Sequence, residues 1–410
     1  MTIGDHLTDN LRVPISRALT RLFTFVLSAA AMITPMMATA YISSWVRLGA
    51  ILVLLILVHL MLRPWLLFTR ELALYAAFFL YMLISALWAP AISVGLNTLV
   101  PSMDFVLIMI LFGSLVAFHD LRSVLTGMLA GFLAGALIYT SAFGFPFVYP
   151  PEFSYNSIAV MYLAGLLTTL FYAWHTRTRF VPLIISLVII ILIMATTSIK
   201  TNLGIVLGAG AATLMYVKSF LRILWRNIIL VGVLTALLVH AVISNGALLE
   251  RVQDGFDRVS HGVEILNQRR DVAGNTSFNE RTAWEKEGIK GWLRSPLFGN
   301  GVEAFRTDHG ITSHATPVDL LYNFGIIGLA LFYSVFWSLS LRLTSVSSRD
   351  LGSLPALIFA GIVCFLFITL SGTMEYSMFM AIFISVSGSL LRREGPDSRS
   401  MNGYSVKARS

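Results

Sequence analysis

Hydrophobic and polar positions along the 410-residue chain separate into long apolar runs joined by short polar connections. The runs fall near 19–42, 46–62, 70–89, 94–118, 121–144, 155–174, 180–198, 200–217, 227–244, 316–341, 353–372 and 376–391. About 20 apolar residues carry an α-helix across a hydrocarbon core of ~30 Å, so the pattern predicts about twelve membrane-crossing helices. The stretch 245–316 breaks this rhythm as the long polar run of the chain. Inside it, Leu249, Val252, Phe256, Val259, Val263 and Leu266 recur at near-helical spacing, which predicts a helix lying on the membrane or packed against the bundle. Asp271 to Asn279 reads as a turn. Asn279 is expected to cap a helix that begins near Arg281 and runs through Trp284 to Trp292, with Pro296 and Gly299 ending it.

Composition makes the bilayer the solvent, because 57% of residues are hydrophobic, 12% are charged and the mean hydropathy is +0.79. Charge then orients the chain. Lys and Arg collect in short cytoplasmic loops, and alternate connections here carry Arg12, Arg17 and Arg21, Arg63 and Arg70, Arg122, Arg177 and Arg179, Lys218, Arg222 and Arg226, Arg342 and Arg349, and Arg392 and Arg393. The opposite short loops carry only Arg47 and Lys200. Both termini are therefore expected in the cytoplasm, with the 245–316 loop outside. The net charge of +8 follows from this topology and requires no nucleic-acid partner. Ala38, Thr39 and Ala40 resemble a signal-peptidase site, but the preceding apolar run exceeds the usual 7–15 residues of a signal h-region, so a retained span is expected. Cys364, the single cysteine, lies in a predicted span and packs as a small apolar residue.

The expected fold class is all-α, a polytopic integral membrane helical bundle of about 12 transmembrane helices with one large periplasmic loop. Residues 1–244 would hold nine helices, 245–316 the loop, 317–393 three more helices, and 394–410 a polar, disordered cytoplasmic tail. No internal repeat, heptad array or separate soluble domain is visible.

Three pieces of the polar loop stand in order: Arg281 in ERTAWEKEGIKGW, SPLFGNGVEAF from Ser295, and SHATPVDLLYNFGIIG from Ser313, which re-enters the membrane. An Arg before a Trp-bearing helix, a P-L-x-G-x-G turn, and a loop His leading into an x-x-G-x-x-G span together resemble the large loop of the bacterial O-antigen ligase and O-antigen polymerase superfamily. That resemblance implies an inner-membrane glycosyltransferase. Its donor would be a glycan on undecaprenyl diphosphate, and its acceptor another glycan or lipid A-core, both presented in membrane lipid.

Such chemistry needs a cradle for the diphosphate and a base for the acceptor hydroxyl. A guanidinium fork binds two phosphate oxygens while staying charged. Spacing alone pairs Arg281 with Glu285 four residues on; the resemblance assigns Arg281 to the diphosphate. The superfamily's second cation follows a Thr/Ser-rich turn, usually as Ser-Arg. Here TTSIKTNLGIVLG places Lys200 there, a point charge without the fork, whose bland alternative is an interfacial snorkelling lysine. His314 occupies the place of the loop His and titrates near neutrality, which suits a general base, although a lone His at a helix entry also serves as a cap. His309 competes with it, and His261 lies farther away. Asn156 in SYNSIAVMYLAG resembles an Asn at the outer start of a span, where it would bind substrate or merely cap the helix. Asp319 and Asp104 sit inside predicted spans, where a carboxylate is expensive and would orient the base, contact substrate or neutralise an Arg. Glu303 and Arg306 flank the glycine turn and read as solvent-facing.

No Asp-x-Asp pair, Walker motif or zinc-spaced His/Cys cluster is present in the sequence. A lipid-linked donor carries its own leaving group, so no cofactor and no metal are expected, with cations stabilising the departing diphosphate. The leading expectation is a ligase, the alternative a polymerase of the same superfamily. A transporter or flippase would instead show paired broken helices or charges near the bilayer midplane. The charge pattern makes the topology testable. A reporter active only in the periplasm should be on when fused at Gly274 and off at Lys218 or after Arg393, and the reverse pattern would overturn the orientation.

Overall fold

The structure is a computed structural model in which residues 17–38, 43–62, 69–143, 155–178, 180–196, 198–215, 276–345, 353–370 and 377–394 are described, with isolated positions between 232 and 253. The described residues form helices and no strand. In chain order these are α1 (Arg17–Ala38), α2 (Ser44–Leu62), α3 (Arg70–Ser85), α4 (Ile92–Phe118), α5 (Leu121–Phe143), α6 (Tyr155–Thr176), α7 (Phe180–Ala195), α8 (Ile199–Met215), α9 (Thr276–Trp292), α10 (Ala304–His309), α11 (Thr316–Ser345), α12 (Leu354–Leu370) and α13 (Met378–Glu394).

Among the described residues six segments are long and apolar enough to cross a membrane: Arg17–Met36, Arg70–Trp88, Leu99–Phe118, Leu121–Ser141, Asn156–Thr176 and Thr316–Thr344. Trp45–Met61, Phe180–Ala195 and Leu354–Leu370 are shorter apolar helices. The expected spans at 200–217 and 376–391 appear as the helices α8 and α13. The expected span at 227–244 and the surface helix over 248–268 lie outside the described residues, save scattered positions. The helix expected to start near Arg281 starts at Thr276 instead. Thr276 to Glu280 contains neither Gly nor Pro, so nothing stops the helical ladder there, and Asn279 lies within the helix rather than at its cap.

Small residues let distant helices meet. Gly127, Gly131 and Gly135 repeat every fourth position on α5, the spacing that brings backbones together in membranes. A Cβ at Gly131 would lie 2.3 Å from the Ala29 carbonyl oxygen of α1. In the same way Gly208 sets α8 against α12, where a Cβ would lie 2.4 Å from the Ala360 carbonyl oxygen. Serine hydroxyls join α13 to α4: Ser385 Oγ donates to the Met109 carbonyl at 2.6 Å and Ser389 Oγ to that of Gly113 at 3.3 Å. Stacked Tyr75 and Phe105, with ring centroids 3.8 Å apart, fill the space between α3 and α4.

Two buried carboxylates are ion-paired. Asp104 is fully buried and forms an ion pair with Arg47 of α2, so its role is to neutralise an Arg, one of the alternatives open from sequence. Glu71, also buried, accepts from Ser338 Oγ at 2.9 Å and pairs with Arg342 Nε at 3.3 Å, tying the start of α3 to the end of α11. Arg393 Nη1 donates to the Val116 and His119 carbonyls at 3.0 and 2.8 Å, which satisfies the open C-terminal end of α4.

The feature that shapes the rest is a break in α11. Two helical halves meet at Gly325, whose φ of 63° and ψ of −164° lie outside helical space. The P-L-x-G-x-G turn fills the gap. Asn300 N donates to the Tyr322 carbonyl at 2.9 Å and Gly301 N to that of Asn323 at 2.8 Å, while Ile326 N and Ile327 N donate back to the Pro296 and Leu297 carbonyls at 3.0 and 3.3 Å. The fit leaves no room for a side chain, since a Cβ at Gly325 would stand 2.3 Å from the Leu297 carbonyl oxygen. Gly325→Ala should therefore cost more than about 2 kcal/mol through backbone strain and clash together. Gly310→Ala, at a φ of 75° with nothing within 4 Å, should cost only about 1 kcal/mol. Thermal unfolding of both variants in one detergent checks the difference; equal midpoints would deny the break its structural role.

Candidate functional site

The site is assembled at the ends of α6, α8, α9 and α11. Two polar turns position it. Between α7 and α8, Thr196 Oγ1 donates to the Ile193 carbonyl at 2.6 Å, and Ser198 Oγ donates to Asn156 Oδ1 at 2.8 Å while lying 3.1 Å from Thr201 Oγ1. This chain of hydroxyls and amide clasps the first turn of α6 to the first turn of α8, where half-buried Lys200 stands. Asn156 thus fixes the helix that carries a cation. Ser198 and Thr201 were missed from sequence, since a Ser and a Thr in a turn look like ordinary caps.

The second turn carries His314. Ser313 is buried; its backbone N–H donates to Asp319 Oδ1 at 3.0 Å, and its Oγ donates to the Ala315 carbonyl at 3.0 Å and accepts from Ala315 N at 3.2 Å. These bonds hold His314 at a φ of 63°, a left-handed conformation that costs a non-glycine residue of order 1 kcal/mol. Buried Ser313 and Ala315 flank it, and His314 stays accessible at the tip with its ring partly covered. Asp319 is itself 3% exposed, with Oδ1 turned to the Ser313 amide.

Arg281 is exposed in the second turn of α9. The helix is seated on α11 by two close approaches, where Gly288 meets Val318 and Gly291 meets Tyr322. Below it Phe305, Tyr322 and His309 form a small aromatic cluster: ring centroids lie 4.5 Å apart for Phe305 and His309 and 5.1 Å apart for Phe305 and Tyr322, and Tyr322 donates to Asp308. His309, the competing imidazole, is absorbed by that cluster and by Trp284, 5.6 Å away between ring centroids. Glu303, expected to face solvent, is 7% exposed with a φ of 57°, because the Gly301 turn drives the chain inward; Arg306 is exposed as expected. His261 lies outside the described residues.

Electrostatics link residues that are far apart in sequence. Arg281 acts on Lys200, and both act on His314. Burial first, and then Arg281 and Lys200, push the His314 pKa below its usual value. The Glu285 carboxyl is raised by burial, an effect that Arg281 opposes. An imidazole with a lowered pKa beside two cations has the chemistry to accept a proton next to a place for an anion. Among the described residues no group of three or more His, Cys, Asp or Glu is placed to hold a metal ion.

An apolar groove of about 840 Å³ adjoins this cluster. It is lined by residues of α8, α11 and α12, among them Val206, Leu214, Pro317, Tyr333 and Leu370. Val206 lies six residues from Lys200, about 9 Å along the helix. Pro317 lies three residues from His314.

Residues 183–333 match a family model described as O-antigen ligase, which supports the resemblance read from the loop motifs. The match contains Lys200, Arg281, His314 and Asp319, whereas Asn156 precedes it. No curated protein matches the chain. Because the cations depress His314, Lys200→Met should raise the imidazole pKa toward its ordinary value of about 6.5. Histidine ring NMR of the protein in detergent reads this directly, and an unchanged titration would separate Lys200 from the site.

Proposed function

We propose that this integral membrane protein is a ligase-like glycosyltransferase of the O-antigen ligase superfamily, whose family model its residues 183–333 match. It moves a glycan from undecaprenyl diphosphate to a lipid A-core acceptor at the periplasmic face of the inner membrane. The observation that carries the reading is the convergence of Arg281, Lys200 and His314 from three separate segments beside an apolar groove. A lipid diphosphate needs both halves of that arrangement, cations for its head and a long apolar trough for its tail.

In this mechanism Arg281 clamps two oxygens of the diphosphate and Lys200 adds a point charge, so negative charge that grows on the leaving group is met by fixed cations. His314 takes the proton from the acceptor hydroxyl as the oxygen bonds to the anomeric carbon of the donor sugar. The bond from that carbon to the diphosphate oxygen breaks with its electron pair, and the proton passes from the imidazolium to solvent. Neighbouring cations favour the neutral imidazole before the reaction, so the base is ready at neutral pH. Asp319 and Asn156 act one step back, holding the His314 turn and the start of α8. No metal or cofactor enters these steps.

The test uses purified protein with lipid-linked donor and acceptor. His314→Ala should lose about 10²- to 10⁴-fold in rate while donor binding survives. Arg281→Ala should abolish transfer, Arg281→Lys should recover little, and Lys200→Arg should be tolerated. Transfer should persist in excess EDTA. Wild-type turnover in either alanine variant would remove that residue from the reaction, and loss on chelation restored by Mg²⁺ or Mn²⁺ would reject the metal-free path. A surface-glycan gel of a deletion strain decides the acceptor. Lipid-linked polymer left unattached indicates a ligase, and single repeats still attached indicate a polymerase.

A further inference from the structure

The turn that fills the break in α11 is apolar on its outer side. Leu293, Leu297 and Phe298 are 64%, 55% and 55% exposed, although all three belong to the polar loop that separates predicted spans. They do not stand alone. The Tyr81 hydroxyl of α3 bonds the Phe298 carbonyl at 2.9 Å, its ring lies 6.4 Å from that of Trp88, and Gly301 rests on Ala89. This brings Leu87 and Trp88, both exposed, beside the turn. Ile327 N bonds the Leu297 carbonyl, which brings exposed Ile326 to the other side. The result is one apolar surface shared by the turn, the end of α3 and the start of the second half of α11.

Its depth follows from lengths. From Ile326 to Arg342 the second half of α11 rises about 25 Å, and from Arg70 to Trp88 the α3 segment rises about 28 Å, against a hydrocarbon core of ~30 Å. Glu71 and Arg342 are ion-paired, so the charged ends of these two helices lie at one level. Gly325, Trp88 and the turn therefore share the other level, at the opposite edge of the core. The surface is also continuous with the exposed apolar face of α3, formed by Leu80, Leu83 and Ile84.

The backbone fits that environment. Hydrocarbon tolerates irregular chain only where its polar groups are paired within the protein. The Pro296, Leu297 and Phe298 carbonyls each accept a hydrogen bond, and the Gly299, Asn300 and Gly301 amides each donate one. Trp292 Nε1 donates to the Pro296 carbonyl at 2.9 Å, which leaves the indole as a half-exposed aromatic at the rim, as in interfacial belts. We infer that Leu293, Leu297 and Phe298 insert into the outer hydrocarbon edge of the bilayer, so that the Pro296–Gly301 turn is a membrane-seated wedge and not an aqueous loop. The partner is the lipid acyl layer. The wedge fixes the height of the loop above the membrane whatever reaction that loop performs.

Collision measurements on nitroxide labels decide the matter. In a Cys364→Ala background, the variants Leu297→Cys and Phe298→Cys are labelled and placed in vesicles of phosphatidylethanolamine and phosphatidylglycerol. Leu80→Cys serves as the lipid-facing reference and Arg306→Cys as the aqueous one. Labels at 297 and 298 should collide with oxygen in preference to a water-soluble nickel chelate, as the label at 80 does. Preference for nickel, as at 306, would overturn the insertion, and so would a label shielded from both agents, which would mean that protein covers the surface. If either variant fails to fold, Leu293→Cys reads the same edge.

Discussion

Backbone groups released where α11 breaks at Gly325 must be paired, and the way they are paired determines where everything else in the loop sits. The Pro296–Gly301 turn accepts from the amides of Ile326 and Ile327 and donates to the carbonyls of Tyr322 and Asn323, so it is bonded across the gap much as one strand is to another. Asn323 adds a side-chain acceptor for Phe305 N at 2.8 Å, which seats α10, and Tyr81 reaches the Phe298 and Phe324 carbonyls from α3. In many transporters a broken helix leaves such groups open for an ion or substrate. Here protein closes the gap, and the break works as a socket for the loop.

From that socket two chain directions lead to the same place. Backwards from the turn, α9 runs along the first half of α11 to Arg281. Backwards from Gly325, that same half of α11 runs to Asp319 and the His314 turn. Lys200 arrives separately, on a helix packed against α12 through Gly204 and Gly208 and clasped to α6 by Ser198. Three groups with like or titratable charge are thereby held together by parts that bond to one another and not through the charges themselves. Their mutual repulsion is what the proposed diphosphate would relieve.

Much of this was legible in the sequence, for identifiable reasons. The apolar runs predicted helices because the bilayer favours them, six of which, among the described residues, are long and apolar enough to cross a membrane, and the ordered Arg281, P-L-x-G-x-G and His314 pieces marked the loop. The break at Gly325 was not legible. Gly325 and Gly328 look equivalent within F-G-I-I-G, and only the turn lying more than twenty residues upstream distinguishes them. Glu71 was overlooked because a carboxylate in a first turn is also ordinary helix chemistry, and its partners Ser338 and Arg342 are remote in sequence. Glu303 was assigned to solvent since charge usually goes there; its left-handed φ after Gly301 turns it inward. Asn279 illustrates the opposite error, a good capping residue overtaken by a helix that nothing interrupts.

The left-handed backbone at His314 sets stability against the role proposed for its imidazole. Glycine is the residue that a φ of 63° favours, and replacing His314 with it would relieve strain and leave the Ser313 clasp untouched. A screen that rewards only heat resistance would thus tend to erase the imidazole, as strained functional positions generally yield when stability alone is selected. Directed-evolution libraries built for robustness should hold this codon fixed if the proposed base is to be kept.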